Sequence, residues 1–285
     1  MNSFLYLFNS VIRETSAAEE MTFWQRIAPP EDISTHGHLI DWLFMYTTAM
    51  NIFFFSIVCI CLFSFCYLYY HKRHPVPYYT YGNKKPHILI ATFVGLAVFF
   101  AIDLNITRIS NNDYTGVFIN FPDESKEDVL RIQVMAQQWA WEFRYAGRDG
   151  VFNTEDDIVL LNRLVLPTDQ KVVFQITSKD VIHSLWFPNA RLKTDAIPGR
   201  ITRMWFELTK PGEYDIACAE MCGVYHYRMQ ARLFVKDGHD FDRWLAEAEE
   251  KAIHEADPSN FDQYWGWAWI TNETEATSSS DISMR

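Results

Sequence analysis

Residues 217–231 read Ala-Cys-Ala-Glu-Met-Cys-Gly-Val-Tyr-His-Tyr-Arg-Met-Gln-Ala. Cys218, Cys222, His226 and Met229 thus fall within twelve residues, with Glu220 between the two cysteines. Two thiolates, an imidazole and a thioether form a soft donor set, which suits copper better than calcium or magnesium, and the thioether argues against structural zinc. A mononuclear blue-copper site uses a single cysteine. Two cysteines four apart, beside one histidine and one methionine, point instead to thiolates that bridge two copper ions. Each copper then needs a nitrogen ligand, and His183, in Lys-Asp-Val-Ile-His-Ser, is the candidate for the second imidazole. The same spacings would also line these four side chains along one face of a helix, as ordinary core. Gly223 inside the segment, the Pro211-Gly212 turn upstream and the strand-like run 213–217 weigh against that helix.

The flanking sequence reads as short strands. Runs rich in β-branched and aromatic residues at 129–135, 163–166, 171–176, 201–208, 213–216 and 230–235 are separated by Pro-Thr-Asp, Ser-Lys-Asp, Pro-Gly and Lys-Pro-Gly. Such spacing predicts an all-β sandwich or barrel.

Further upstream the chain changes character. Residues 43–70 contain no charged side chain, a length exceeding the roughly 20 residues that cross a bilayer as a helix. Asn51 reads as a polar residue at a helix–helix face, and Tyr67, Tyr69 and Tyr70 form an interfacial belt. The loop 71–86 carries Lys72, Arg73, Lys84 and Lys85 and no acid, so it belongs on the cytoplasmic side. Pro86 opens a second apolar helix over residues 87–106, with Asp103 near its outer end. Both termini and the β-domain then lie outside the cytoplasm. The apolar stretch 4–12 reads as a retained interfacial helix rather than a signal peptide, because no Lys or Arg precedes it.

The formal charge of −11 excludes nucleic acid as a partner and favours a basic protein. Five cysteines do not make a disulfide framework, since Cys59, Cys61 and Cys66 lie in an apolar run. The stretch 147–157 is rich in oxygen ligands but lacks the EF-hand spacing, and reads as a solvated acidic hairpin. Residues 239–285 hold eleven acidic and three basic side chains, so most of the net charge sits there. Within them, 241–256 reads as an amphipathic helix, 264–269 as an aromatic patch that covers another subunit or the membrane, and the Ser/Thr-rich end as disordered. The sequon at Asn272 is read as chance, and the absence of Cys-x-x-Cys-His excludes a c-type haem attachment. The expected organisation is an outer segment 1–41, a helical hairpin 42–107, a β-domain 108–238 and an acidic, aromatic extension 239–285.

The pattern C-x-E-x-C-x3-H-x2-M resembles the binuclear copper (CuA) loop of cytochrome c oxidase subunit II. Asp-Val-Ile-His-Ser at 180–184, Leu-Lys-Thr-Asp-Ala-Ile-Pro-Gly-Arg at 192–200 and Gln-Trp-Ala-Trp at 138–141 support the resemblance, which covers about residues 40–245. It implies a two-helix transmembrane hairpin followed by an all-β cupredoxin-like sandwich. It further implies that Cys218 and Cys222 bridge the coppers, that His183, His226 and Met229 complete them with the backbone carbonyl of Glu220, and that the Glu220 side chain helps bind magnesium shared with subunit I. Trp139 would receive the electron from cytochrome c, and Asp180 would be a docking carboxylate. The implied role is electron input to an oxidase whose oxygen chemistry and proton pumping involve subunit I, with other oxidase subunits and membrane lipid as partners. The implied site is a bacterial inner membrane, with the copper domain on the periplasmic or outer side. The chain departs from the family at Ala140, where tyrosine is usual, and at His87, where glutamate near a proton-uptake route is frequent. The nitrogen-oxide reductases share such copper domains, but the two crossings favour an oxidase. A quinol-oxidase subunit would lack the copper ligands, and a membrane-anchored copper carrier would have no use for Trp139 or Glu220.

Overall fold

The computed structural model describes residues 28–255, apart from 74, 77, 78, 80, 125 and 127. The expectations at 4–12, 264–269 and Asn272, and that of a disordered end, lie outside the described residues. Two compact units are distinguished, Met1–Glu31 and Asp32–Arg285, and every element below belongs to the second.

Helix α1 (Gly37–Leu68) begins before the charge-free run, because local chemistry favours a start at Gly37. The Ser34 hydroxyl accepts the Gly37 amide at 2.9 Å, satisfying one of the donors a helix start leaves open. Gly37 also packs so closely on Asp32 that a Cβ there would lie 2.0 Å from the carboxylate oxygen. Helix α2 runs continuously over Lys85–Phe118, with Pro86 in its first turn and π-helical stretches at Phe99–Asp103 and Tyr114–Phe118. It passes the end expected near Ile106. At about 1.5 Å per residue its length exceeds a hydrocarbon core of roughly 30 Å, so a span of these dimensions carries its polar end beyond the lipid. Packing holds that end: the Trp205 indole N–H donates to the Val117 carbonyl at 3.1 Å. Both helices are long and apolar enough to cross a membrane.

Ten strands follow: β1 (Val129–Gln137), β2 (Ala140–Tyr145), β3 (Ile158–Leu161), β4 (Arg163–Pro167), β5 (Lys171–Ser178), β6 (His183–Phe187), β7 (Leu192–Ala196), β8 (Thr202–Glu207), β9 (Gly212–Cys218) and β10 (Gln230–Lys236). They form two five-stranded sheets, ordered β3-β2-β1-β5-β8 and β4-β10-β9-β6-β7. The sandwich expected from the strand spacing is present, with four strands (β2, β3, β6, β7) that the periodicity alone did not reveal. Alternating burial along β1 faces Ile132, Val134 and Ala136 into the core. Phe174, Phe187 and Phe206 meet there, with ring centroids 4.9 to 5.6 Å apart. Helix α3 (Gly238–Glu255) closes one side, setting Trp244 against Tyr145 at 5.5 Å.

Tyr145 joins the two sheets. Its hydroxyl donates to the Val165 carbonyl and accepts the Val165 amide, both at 2.8 Å, on a strand whose outer edge has no neighbouring strand. Burial first, against this backbone contact, raises the phenol pKa far above its ordinary value. Tyr145→Phe leaves two buried backbone groups unpaired, so a loss of about 2 kcal/mol is expected in urea unfolding of the copper-free chain. A loss below about 0.5 kcal/mol would mean that water replaces the hydroxyl.

The acidic stretch 147–157 links β2 to β3 as a hairpin connection whose carboxylates serve its own donors. Asp156 accepts the Arg148 amide at 2.9 Å and the Thr154 hydroxyl at 2.7 Å, and Asp157 accepts the Asn153 amide at 2.7 Å. Among the described residues, the cluster of His, Cys or carboxylate ligand atoms close enough for a metal is elsewhere, at His183, Cys218 and Cys222.

Candidate metal centre

The stretch 218–229 is the connection of the β9–β10 hairpin. Antiparallel register places Gln230 opposite Ala217, and the Cys218 amide donates to the Met229 carbonyl at 3.1 Å, so the two ends of the loop are pinned together. Its helical content is one 3-10 turn at His226–Arg228. The cysteines and methionine therefore converge by loop closure and not as a helical stripe. Cys222 Sγ lies 3.8 Å from Cys218 Sγ, 3.7 Å from Met229 Sδ and 3.5 Å from His226 Nδ1. The Glu220 carbonyl stands 3.2 Å from Cys218 Sγ, while the Glu220 side chain is exposed.

His183 reaches this cluster from the neighbouring strand. Strand β6 pairs with β9 through Leu185 opposite Cys218, and the Ala219 amide donates to the Ser184 carbonyl at 2.9 Å. The ligand atoms of His183, Cys218 and Cys222 consequently lie within 4.8 Å of one another. The ring is fully buried; its Nε2 is 2.9 Å from Asp180 Oδ1, and its Nδ1 has no hydrogen-bond partner. A buried ring nitrogen left unpaired is unfavourable, and the ring stands beside two thiols. A soft metal ion would satisfy it, so these donors fit copper.

Asp180 is tied into the same arrangement. Its Oδ2 accepts the Gln138 amide at 2.7 Å and its Oδ1 accepts the Val181 amide at 2.6 Å. Burial works against its charge, but the hydrogen bonds from His183, Gln138 and Val181 hold its carboxyl below the usual range. A carboxylate behind a histidine orients the ring and raises its basicity. The thiols diverge. Burial opposes the Cys218 thiolate, yet the neighbouring imidazole of His183 brings that thiol down to about 6. Burial and the charge on Cys218 push the Cys222 thiol up to about 12.

Trp139 and Gln138 hold the loop from below. Both side chains donate to the Cys222 carbonyl, the amide of Gln138 at 2.8 Å and the indole of Trp139 at 3.2 Å. Trp139 is half-buried and stands edge-on to Tyr225 at 4.9 Å. Gly223 permits this approach: its φ is +116°, and a Cβ there would come within 2.9 Å of Gln138 Nε2. The part of Gln138 was not visible as a separate signal, being only the first letter of Gln-Trp-x-Trp. Around the buried sulfurs the loop exposes Met221 at 75% and Val224 at 79%.

The fold and this cluster define a class of protein: a copper domain carried on a pair of apolar, membrane-length helices. A family model described as cytochrome c oxidase subunit II, periplasmic domain, matches residues 130–234. The alternative cytochrome c oxidase subunit 2 of Bradyrhizobium diazoefficiens is 29% identical over 239 residues, covering 75% of this chain and 82% of that one. The probable cytochrome c oxidase subunit 2 of Rickettsia felis is 29% identical over 276 residues, covering 90% and 82%. A crystal structure of the periplasmic domain of subunit II (CoxB) from Bradyrhizobium japonicum is 28% identical, covering 43% of this chain and 94% of that one, with a TM-score of 0.38. The likeness is to the cytochrome c oxidase subunit II family, through the domain at residues 130–234 and through relatives of which the chain covers 82%.

Proposed function

We propose that the chain is the electron-input subunit of a cytochrome c oxidase, holding a binuclear CuA centre and passing electrons from cytochrome c towards the haems of subunit I. The observation that carries this reading is the pair of thiols 3.8 Å apart beside the buried His183 ring, whose Nδ1 has no hydrogen-bond partner. Two coppers bridged by thiolates supply an electron store whose geometry changes little between redox states. Cys218 and Cys222 would hold the coppers through their thiolates, His183 and His226 through imidazole nitrogen, and Met229 and the Glu220 carbonyl more weakly. The exposed carboxylate of Glu220 is free to face subunit I and share a magnesium ion there. Asp180 fixes the His183 ring and, being one-third exposed, offers a docking charge. Trp139 runs from the half-buried surface to the Cys222 carbonyl, which suits it to electron input. The net charge of −11 suits a lysine-ringed cytochrome c. The basic loop between α1 and α2 supports a periplasmic domain on a bacterial inner membrane, since cytoplasmic loops are the ones enriched in Lys and Arg.

A labile copper carrier would present open sulfurs, whereas Cys222 is 3% and Met229 1% exposed. The test is electron paramagnetic resonance of the copper-loaded chain. Hyperfine structure from one electron shared over two coppers is expected, and a mononuclear spectrum would overturn the assignment. In the assembled oxidase, Trp139→Phe is expected to slow reduction by cytochrome c by at least about tenfold at unchanged copper content. An unaltered rate would remove Trp139 from the path.

Copper loading is also expected to depend on pH with a defined sign. At neutral pH the Cys222 thiol, held up to about 12, must lose its proton to bind metal, so affinity rises with pH. Below about 6 the Cys218 proton must leave as well, and the dependence steepens. Chelator competition across this range measures it; a flat profile would show that the thiols are already ionised.

A further inference from the structure

The loop that gathers the sulfurs and the segment that enters the membrane helices meet the sandwich at opposite ends of β6. His183 begins that strand, and beyond Phe187 a 3-10 turn at Pro188–Ala190 leads to Arg191. Arg191 forms a two-pronged ion pair with Asp41 on α1, Nε to Oδ1 at 2.7 Å and Nη2 to Oδ2 at 2.9 Å, while its Nη1 donates to the Pro188 carbonyl at 2.9 Å. The guanidinium side chain is 11% exposed. The backbone of Arg191 is left-handed, with φ of 62°, uncommon for a residue that is not Gly, Asn or Asp. A planar fork held by two parallel bonds fixes orientation as well as distance, which a point charge does not.

The chain just before α1 reinforces this joint. Ile33 is fully buried in the sandwich core. Its amide donates to the Asn189 carbonyl at 3.0 Å, its carbonyl accepts the Thr209 amide at 2.8 Å, and the Thr35 amide donates to the Glu207 carbonyl at 3.0 Å. Residues 33–35 therefore tie the end of β8, in one sheet, to the turn after β6, in the other. On the α2 side His36 stands edge-on to Trp205 at 4.8 Å, the residue whose indole reaches Val117.

We infer that the Asp41–Arg191 pair is a positioning device that sets the copper loop, through the rigid β6 strand, at one orientation relative to the membrane helices, so that the sandwich is a fixed head and not a tethered carrier. The inference rests on the electron-relay reading above, and it names two residues for which neither the ligand set nor cytochrome c docking has a use.

The test uses the full oxidase complex with Arg191→Ala, Asp41→Ala, Arg191→Lys and the reversed pair Asp41→Arg with Arg191→Asp. In the alanine variants, copper content, the copper spectrum and reduction by cytochrome c are expected to stay as in the unaltered complex. Internal transfer to the haems is expected to slow by about tenfold or more, as misplacement far from the reacting groups does. Hydrogen exchange at the Ile33 and Thr35 amides should rise in parallel. Arg191→Lys recovers part of the rate, and the reversed pair recovers most of it, since Asp tolerates the left-handed backbone. An unchanged internal rate in both alanine variants overturns the inference. So does a reversed pair no better than the single changes, or loss of copper together with both electron steps, since either reduces the pair to a general stabilising contact. If the unaltered complex lacks the shared-copper spectrum, the relay reading fails, while the exchange and charge-reversal results still report on the clamp.

Discussion

Cys222→Ser is expected to abolish the binuclear spectrum and to lower electron input by more than about a hundredfold, beyond what removal of a group behind a ligand typically does. Cys222 is the hub of the cluster, within 3.5 to 3.8 Å of His226, Met229 and Cys218. A serine oxygen is harder and shorter-reaching, and cannot bridge two soft ions as a thiolate does. The sandwich should survive, because Cys222 lies on a connection whose ends are pinned by backbone bonds between β9 and β10. Metal analysis, electron paramagnetic resonance and circular dichroism on the same preparation separate loss of the centre from loss of the fold. A fully loaded shared-copper spectrum in Cys222→Ser would remove Cys222 from the ligand set.

The second large effect lies in the core. Phe174→Ala is expected to cost about 3–5 kcal/mol. Phe174 is fully buried and packs on Phe187 and Phe206 at 5.6 and 5.0 Å, so its removal opens a cavity between the sheets that rigid strands cannot close. That is a large share of the roughly 5–15 kcal/mol that holds a typical domain together. Phe187 ends the strand that begins with His183, so copper retention on mild heating should fall with stability. Denaturant unfolding of the copper-free chain measures the first effect and metal release the second. A loss below about 1 kcal/mol would mean that neighbouring side chains refill the space.

Much of this was legible in the residues. The charge-free run at 43–70 foretold α1, and six short apolar runs foretold a sandwich. The limits of that reading have physical causes. The second helix outran its expected end near Ile106 because contacts between Val117 and Trp205 stabilise a polar segment whose composition carries no helix signal. Strands β6 and β7 were missed because their sequences were read as motifs, and because irregular segments such as Pro-Asn-Ala interrupt the alternation on which strand detection depends. The helical-stripe reading of Cys218, Cys222, His226 and Met229 could be weakened by Gly223 and Pro211 but was excluded only by the loop itself.

By itself the sequence determined the chemistry of the donors: two thiols, two imidazoles and a thioether are soft whatever their arrangement, and their spacing limits which fold can gather them. Tertiary structure alone decided what surrounds those donors. It left His183 Nδ1 without a partner, set Gln138 against Cys222 across 84 residues, and closed Arg191 on Asp41 across 150. Periodicity records only neighbours along a helix or strand, whereas these contacts arise from sheet order and strand register, which are fixed when the two sheets close over their core.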